Sequence, residues 1–229
     1  MEQERHVLVV LAHPDDETFA LGGTIPRYTQ AGVPVTVAIA TSGEMGRRMG
    51  KPTFANRESL RHLRREELKA AVHALGTDDL HLLGVWDKTT EFRDPEALAD
   101  KVSGLLLEKR PSLVFTHHPQ FGGHPDHNAI GEATLRAVRR LPAGQRPRLY
   151  CTTTPIYRMR MLKGEDLGFT LEFTDVAATS DFKLRAMAAH RSQSEGMVEQ
   201  QAARAQRDPE WAALMEQSRH KEYYMVYPV

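Results

Sequence analysis

The sequence predicts an α/β fold of the Rossmann-like type, in which a mostly parallel sheet carries helices on both faces. Short apolar runs, beginning with Val7–Ala12, alternate along the chain with longer stretches of helical periodicity. Strands that are buried on both faces give such continuous apolar runs, and the helices between them supply the crossover connections that parallel strands need. With 229 residues, the chain is long enough to bury the core of such a domain.

Five apolar runs in the first two thirds of the chain are predicted to be strands, because they are short and rich in β-branched residues. They are Val7–Ala12, Val33–Thr41, Leu80–Leu83, Ser112–Thr116 and Arg148–Thr153. Helices are predicted between them at Glu17–Gln30, Arg57–Leu75, Pro95–Lys109 and Asn128–Leu141. The second of these helices shows the period most plainly, since its apolar residues recur every three or four positions until Gly76 ends it.

The final third of the chain is predicted to be a C-terminal α/β extension of the same domain. Residues 158–163 read as an irregular basic and apolar stretch, and Phe169–Phe173 alternates like a peripheral strand. Three further helices and a last strand are predicted at Asp181–His190, Ser194–Gln206, Pro209–Arg219 and Tyr223–Tyr227. Because no linker-like composition separates this part, we predict one domain over residues 1–229. Residues 42–56 and 84–94 lack a period and are predicted to be loops.

The composition excludes several classes of partner. Lysine and arginine number 30, as do aspartate and glutamate, so no net field favours nucleic acid or an anionic membrane. The apolar runs fall far short of the roughly 20 residues that a membrane helix needs. No secretory signal is visible at the start, and the single cysteine, Cys151, is typical of a reducing compartment. We therefore expect a cytoplasmic protein with no nucleic-acid or membrane partner.

Two histidine–proline–aspartate strings indicate the functional site. His13-Pro14-Asp15-Asp16-Glu17 follows the first predicted strand, and His124-Pro125-Asp126-His127 follows the fourth. The carboxyl ends of parallel strands share one edge of the sheet, so both strings are expected in one crevice. Imidazoles and carboxylates that converge there are the ligands of a zinc site with an open position. Acidic residues at a helix start also cap free N–H groups, so either string alone has this simpler interpretation.

Taken together, the two strings resemble the LmbE/PIG-L-type family of zinc-dependent N-acetylglucosaminyl deacetylases. Other segments are similar to this family: Thr41-Ser42-Gly43-Glu44, the helix from Arg64 to Gly76, Asp87, and Lys183 to Gln193 with its His190-Arg191-Ser192-Gln193 string. Met49–Leu60 and Asp87-Lys88-Thr89 most resemble the deacetylases of bacillithiol biosynthesis. The resemblance implies hydrolysis of an N-acetyl group on a small amino-sugar conjugate, most specifically N-acetylglucosaminyl-malate, by a homotrimer or homohexamer.

The resemblance also implies a role for each site residue. His13, Asp16 and His127 would bind one Zn²⁺ per chain, Asp15 would be the general base, and His124 would face the oxyanion in protonated form. Arg64, Asp87 and Glu44 would bind substrate. Asp126 would orient a histidine ligand or cap its own helix, and Arg64 has the alternative interpretation of an ion-paired, solvated helix face. His117 and His118 are expected to be ordinary strand-end histidines, and His190 receives no role.

The malate of that substrate requires cationic partners, and six basic residues in two segments, residues 42–56 and the irregular stretch at 158–163, are candidates. These are Arg47, Arg48, Lys51, Arg158, Arg160 and Lys163.

Three other functions can be compared with this interpretation. A two-metal phosphoesterase needs more ligands than the single set present here. A nucleotide-binding or other non-enzymatic module lacks its phosphate cradle, since neither Gly-x-Gly-x-x-Gly nor a Walker string occurs. A serine hydrolase lacks its Gly-x-Ser-x-Gly elbow. A deacetylase of another N-acetylated amino sugar, or a metal-binding α/β module without activity, stays open as an alternative.

Overall fold

A computed structural model describes residues 4–218 and 220–229. Seven strands form one sheet in the order β3-β2-β1-β4-β5-β7-β6. Strands β1 to β5 run parallel, whereas β7 pairs antiparallel with both β5 and β6. The strands are β1 (Val7–Leu11), β2 (Val35–Ile39), β3 (Leu80–Leu82), β4 (Leu113–His117), β5 (Arg148–Thr152), β6 (Thr170–Asp175) and β7 (Lys221–Tyr227). The predicted fold class, a mostly parallel sheet flanked by helices, is confirmed, and the structure adds that its C-terminal strands pair antiparallel.

Helices cover both faces of this sheet. They are α1 (Asp16–Leu21), α2 (Thr24–Gln30), α3 (Leu60–Ala74), α4 (Pro95–Lys109), α5 (Pro125–Arg139), α6 (Pro155–Leu162), α7 (Ser180–Ala189), α8 (Arg191–Ala205) and α9 (Pro209–Ser218). Successive side chains of β1 point to opposite faces: Leu8 and Val10 pack with α4 and α5, whereas Val9 and Leu11 pack with α1, α2, α3 and α7. This two-sided burial explains why the parallel strands read as continuous apolar runs. Among the described residues, no helix is long and apolar enough to cross a membrane.

The strand order places a crevice beside β1. Strand β1 lies between β2 and β4, so the connections that leave β1 and β4 run to opposite sides of the sheet. Ligands of open α/β sheets bind at this switch point, outside the carboxyl ends of the strands. The first histidine string follows β1 and the second follows β4, so both lie at the crevice.

Two helices begin or break where the sequence did not predict it. The predicted helix Glu17–Gln30 is two helices, because the N–H groups of Gly23 and Thr24 donate to the Glu222 carboxylate at 3.0 and 2.8 Å. A Cβ on Gly23 would also lie 2.4 Å from Val176, so only glycine fits at this break. Helix α5 begins at Pro125 instead of Asn128. The second histidine string therefore forms its cap and first turn.

The remaining differences are smaller. Residues 158–163, predicted to be irregular, belong to α6, which begins at Pro155, a residue suited to a first helical position. Helix α3 begins at Leu60 because the Asn56 side chain accepts the N–H groups of Glu58 and Ser59 in a turn before it. The predicted end of the last helix, Arg219, lies outside the described residues. The loops at 42–56 and 84–94 are observed, the second with one 3₁₀ turn.

Candidate active site

The turn after β1 holds Asp15 in an unusual backbone conformation. Asp15 has a φ of 106°, which is uncommon for a residue with a side chain. Its N–H donates to Glu17 Oε2 at 2.9 Å, and its carbonyl accepts from Thr18 and Phe19 to start α1. Strained backbone of this kind persists only where the surroundings hold it, and it concentrates at functional sites. The turn directs Asp15 and Asp16 differently, although they are adjacent in the chain.

Three ligand atoms from the two strings converge on one point. His13 Nδ1 lies 3.1 Å from His127 Nε2 and 3.5 Å from Asp16 Oδ2, and His127 Nε2 lies 3.4 Å from the same Asp16 oxygen. Ligand atoms at about 2.0–2.1 Å from a tetrahedral zinc are about 3.3 Å apart. The observed triangle has this size. The structure thus brings together the three residues predicted to be ligands, and their binding of a metal stays a prediction.

The outer nitrogens of both rings have partners that leave the inner lone pairs free. His13 Nε2 lies 3.1 Å from Asp126 Oδ2, and His127 Nδ1 donates to the Gly122 carbonyl at 2.9 Å. When both rings are neutral and their protons lie there, the facing nitrogens of His13 and His127 both carry lone pairs and repel each other. A cation between them removes this conflict. The donor set of two imidazoles and a carboxylate therefore fits a zinc ion.

The surrounding charges also favour a cation at this point. Burial lowers the pKa of His13, but hydrogen bonds with Asp126, Asp16 and Asp87 outweigh it and raise the pKa well above its usual value. Burial raises the pKa of Asp16, yet His127 and His117 bring it well below the ordinary range. Asp126 accepts from the N–H groups of Lys88 and Thr90 as well as from His13. Asp126 thus orients His13, whereas His124 caps helix α5.

His117 lies closer to this centre than an ordinary strand-end histidine. Its Nε2 is 3.2 Å from Asp16 Oδ2, and its ring stacks on His127 with centroids 3.9 Å apart. Burial lowers the pKa of His117 to about 4, so the ring is neutral. The Nε2 atom of His117 also accepts the Ala12 N–H at 3.1 Å, and its interpretation as an ordinary strand-end histidine stays a prediction. His118 is instead packed among aromatic rings, and its Nδ1 accepts two backbone N–H groups.

Further groups of possible ligand atoms lie at or beside this centre among the described residues. Besides the predicted set, they are His13 with His124 and His127, Asp16 with His117 and His127, and His13 with Asp87 and Asp126.

Asp15 lies beside a cationic side chain. Its carboxylate receives a hydrogen bond from the Arg64 guanidinium at 2.8 Å. Burial raises the pKa of Asp15 to about 6, although Arg64 opposes the rise. A carboxylate with a pKa near the working pH suits general acid–base catalysis. Arg64 itself is buried and also donates to the carbonyls of Gly43 and Pro14. A solvated helix face is therefore the wrong interpretation of this residue.

His124 faces the centre as a neutral ring. Its Nδ1 accepts the Asp126 N–H at 3.1 Å, which leaves the proton on Nε2. Its ring meets the His13 ring edge-on with centroids 5.0 Å apart. Burial, followed by the neighbouring His13 and His127, lowers the pKa of His124. The predicted protonated form is thus disfavoured, and the Nε2–H group of the neutral ring is the donor that could meet an oxyanion.

Asp87 and Glu44 form a pair of carboxylates beside His13. Asp87 Oδ1 lies 3.3 Å from His13 Nε2, and its backbone N–H donates to Glu44 Oε1 at 3.0 Å. Both residues are buried. The other oxygen of Glu44 is buried and, within the described residues, has no hydrogen-bond partner. An acceptor of this kind is available to a ligand hydroxyl.

The buried contacts that support the Asp15 turn were not predicted from the sequence. Glu17 Oε1 lies 2.6 Å from His190 Nε2, and both side chains are completely buried. Nearby, Glu67 accepts the N–H and the hydroxyl of Ser192 at 2.7 and 2.6 Å. The His190-to-Gln193 string thus contacts both Glu67 of α3 and Glu17 of α1. The resemblance had singled out this string, but the sequence gives no sign of its partners.

Four of the six basic candidates for the aglycone have side-chain partners of their own. Arg48 donates to Gln200, Lys51 pairs with Glu199, Arg160 with Glu165 and Lys163 with Glu210. Arg158 lies over the Tyr223 ring, 5.4 Å from its centre. Arg47 is exposed.

Comparison with known proteins identifies the family. The family model described as PIG-L, GlcNAc-PI de-N-acetylase, matches residues 8–138, which include both histidine strings. The chain belongs to this family. The predicted family is thereby confirmed, and so is the predicted enzyme class, since PIG-L members are deacetylases, which hydrolyse N-acetyl amide bonds.

A protein of Bacillus cereus described as a probable N-acetyl-alpha-D-glucosaminyl L-malate deacetylase 2 is 48% identical over 196 residues, which is 86% of this PIG-L chain and 87% of the relative. Solved structures share the fold at lower identity. The N,N'-diacetylchitobiose deacetylase of Pyrococcus horikoshii has a TM-score of 0.69 at 24% identity and covers 98% of this chain and 84% of its own. A Pseudomonas putida 4-carboxy-2-hydroxymuconate hydratase, GalB, has a TM-score of 0.73 at 18% identity, covering 98% and 97%. Proteins with different chemistry therefore share this fold, and the function of the chain depends on the residues of its site.

Proposed function

We propose that this PIG-L chain is a zinc-dependent deacetylase that hydrolyses the N-acetyl group of N-acetylglucosaminyl-malate in bacillithiol biosynthesis. The observation that carries the proposal is the triangle of His13 Nδ1, His127 Nε2 and Asp16 Oδ2, with sides of 3.1, 3.4 and 3.5 Å. A cation would be held there beside a carboxylate, Asp15, whose pKa burial raises to about 6. The substrate assignment is supported by the 48% identity to the Bacillus cereus protein.

The proposed roles follow from the contacts of each side chain. His13, Asp16 and His127 would hold the metal, which when bound lowers the pKa of a coordinated water towards about 7 and polarises the acetamide carbonyl. Asp15, held by Arg64 at 2.8 Å, accepts the proton of the attacking water and later delivers it to the departing amine. His124 donates its Nε2–H to the developing oxyanion. The net reaction consumes one water and yields acetate and the free amino sugar.

The carboxylates beside His13 would select the sugar. Asp87 and the unpartnered oxygen of Glu44 accept hydrogen bonds from ring hydroxyls, and Arg64 completes this wall of the crevice. A site built to satisfy hydroxyl groups rejects ligands that lack them, because its buried acceptors are then left unpaired. We further propose that the chain is one domain over residues 1–229, which the single continuous sheet supports. A trimer or hexamer and a cytoplasmic location stay predictions.

The test is an assay of the purified, zinc-loaded protein. Acetate and free amine are measured with N-acetylglucosaminyl-malate, free N-acetylglucosamine, a neutral methyl N-acetylglucosaminide and a phosphomonoester. We expect equimolar acetate and amine from the acetylated sugars, with the highest kcat/KM for the malate conjugate. Release of phosphate alone, or no acetate from any sugar, would contradict the proposal. A preference for another acetylated sugar would retain the reaction and replace the substrate.

A further inference from the structure

Two exposed apolar side chains lie next to Asp87, which contacts His13. Trp86 precedes Asp87 in the chain and is 47% exposed, and Met45 is 37% exposed. The Met45 N–H donates to Asp87 Oδ2 at 2.8 Å, while the other oxygen of Asp87 lies 3.3 Å from His13. Exposed apolar groups beside a buried polar site are typical of ligand-binding grooves. Trp86 and Met45 are thus linked to the candidate metal centre through Asp87.

The Arg61 guanidinium lies over the Trp86 ring. The guanidinium carbon of Arg61 lies 5.1 Å from the centre of the Trp86 ring. Arg61 is one helical turn before Arg64 on α3, so the two side chains share a face of that helix. The inner guanidinium, that of Arg64, holds Asp15. The Arg61 guanidinium lies further along the same face, towards the start of the helix, and stacks on the Trp86 ring.

Arg61 lacks an anionic partner. Within residues 4–218 and 220–229 it forms no ion pair, and its Nε is buried without a hydrogen-bond partner. A buried donor without an acceptor is costly unless a ligand completes it. Stacking on an aromatic ring keeps the planar guanidinium in one orientation, which favours two-point recognition of a carboxylate. The six basic residues first considered do not include this one.

We propose that Arg61, held against Trp86, binds a carboxylate of the aglycone and gives the deacetylase its preference for acidic conjugates. The Trp86 ring covers the apolar face of the sugar or of its linkage. This inference rests on the proposed function, because it specifies which residue recognises the acidic part of that substrate. The acetamide lies at His13, the sugar lies beside Asp87, and the aglycone reaches the outer rim.

The experiment compares two substrates on the same variants. Arg61→Gln removes the charge and keeps a polar side chain of intermediate length. The substrates are N-acetylglucosaminyl-malate and methyl N-acetylglucosaminide, and the second serves as an internal control for folding and metal content. Lys69→Gln is the matched control, because Lys69 lies on the same helix, exposed and paired with Glu66. Arg47→Gln and Arg158→Gln test the two remaining competitors.

We expect Arg61→Gln to lower kcat/KM for the malate conjugate about 10- to 100-fold, through KM, since a charge-assisted hydrogen bond is lost. The neutral glycoside should be hydrolysed as by the wild type, and Lys69→Gln should match the wild type on both substrates. Arg61→Lys should recover part of the loss.

An equal loss on both substrates, an unchanged preference, or a selective loss in Arg47→Gln or Arg158→Gln instead would overturn the Arg61 assignment. These outcomes leave the proposed function intact. A wild type inactive on both sugars would refute that function, and the inference with it.

Discussion

Replacing His190 with alanine is predicted to destabilise the protein and to slow catalysis. His190 Nε2 lies 2.6 Å from Glu17 Oε1, and neither side chain has access to water. Burial lowers the pKa of His190, but the Glu17 carboxylate outweighs it and raises the pKa above its usual value. The charged ring is therefore favoured. Alanine at this position leaves the Glu17 carboxylate buried with no cationic partner.

The magnitude follows from the burial of both partners. Removal of one member of a buried ion pair costs about 3–5 kcal/mol. Since folded proteins are stable by only about 5–15 kcal/mol, this loss is a large fraction of the total. Glu17 also accepts the Asp15 N–H at 2.9 Å and so holds the turn whose φ is 106°. A displacement of Asp15 by about 1 Å would lower kcat about 10²-fold.

The assay is urea unfolding at pH 7 of the wild type, His190→Ala and His190→Gln, with kcat measured on the folded proteins. Glutamine retains an N–H donor without the charge, so His190→Gln should lose less stability and less activity than His190→Ala. A loss below about 1 kcal/mol in His190→Ala, which is the range of an exposed pair, would refute the buried ion pair. An equal loss in both variants would show that packing, not the contact with Glu17, matters.

Three further predictions concern single residues. Asp15→Asn should keep its zinc and lose about 10²–10⁴-fold in kcat, as a general base would; a variant without zinc would exchange the roles of Asp15 and Asp16. His124→Ala should lose about 10²–10³-fold in kcat with little change in KM, as an oxyanion donor would; an effect on KM alone would contradict this role. Burial lowers the pKa of His118 from 6.5 to about 4, so the unfolded chain binds the extra proton and stability falls between these values as the pH falls. In urea unfolding, the free energy of unfolding of His118→Leu should fall by about 3 kcal/mol less than that of the wild type as the pH is lowered through this range. Identical dependence on pH in the two proteins would contradict the prediction.

The parallel part of the fold could be predicted because its strands are buried on both faces. The run at Val7–Ala12 needed no long-range information, since a strand covered by helices is apolar at every position. Short-range turn chemistry was harder to predict. The break at Gly22-Gly23 depends on Glu222, about 200 residues further along the chain, whose carboxylate accepts the first N–H groups of α2. No local pattern near the glycines contains that partner.

The approach of the two histidine strings could be predicted for a geometric reason. Parallel strands end at one edge, so residues that directly follow β1 and β4 must lie near each other. His13 and His127, 114 positions apart in the chain, are accordingly 3.1 Å apart. The function of these residues stays our proposal. The order of the strands predicts which side chains lie close together, but it does not show whether a metal lies between them.

The supporting contacts could not be predicted in the same way. His190 lies at the junction of α7 and α8, and its contact with Glu17 depends on how α7 packs against α1. Arg64 and Glu67 lie on the buried side of α3. The helical period of this segment predicts apolar side chains there, such as leucine and alanine. Buried charged residues interrupt this period, and the neighbouring sequence does not show which residues they contact. The missed residues are therefore polar groups that long-range packing brings together.

A titration of the metal-free protein with zinc measures whether turnover depends on one zinc bound by the two histidine strings. Acetate release from N-acetylglucosaminyl-malate is measured against zinc equivalents per chain, with bound zinc quantified in the same samples. We predict activity that rises in proportion to bound zinc and levels off at one equivalent, with neither binding nor turnover in the His13→Ala/His127→Ala double variant at matched folding. Full turnover of the chelated protein, a plateau at two equivalents, or one equivalent bound by the double variant would contradict a single catalytic zinc at His13 and His127.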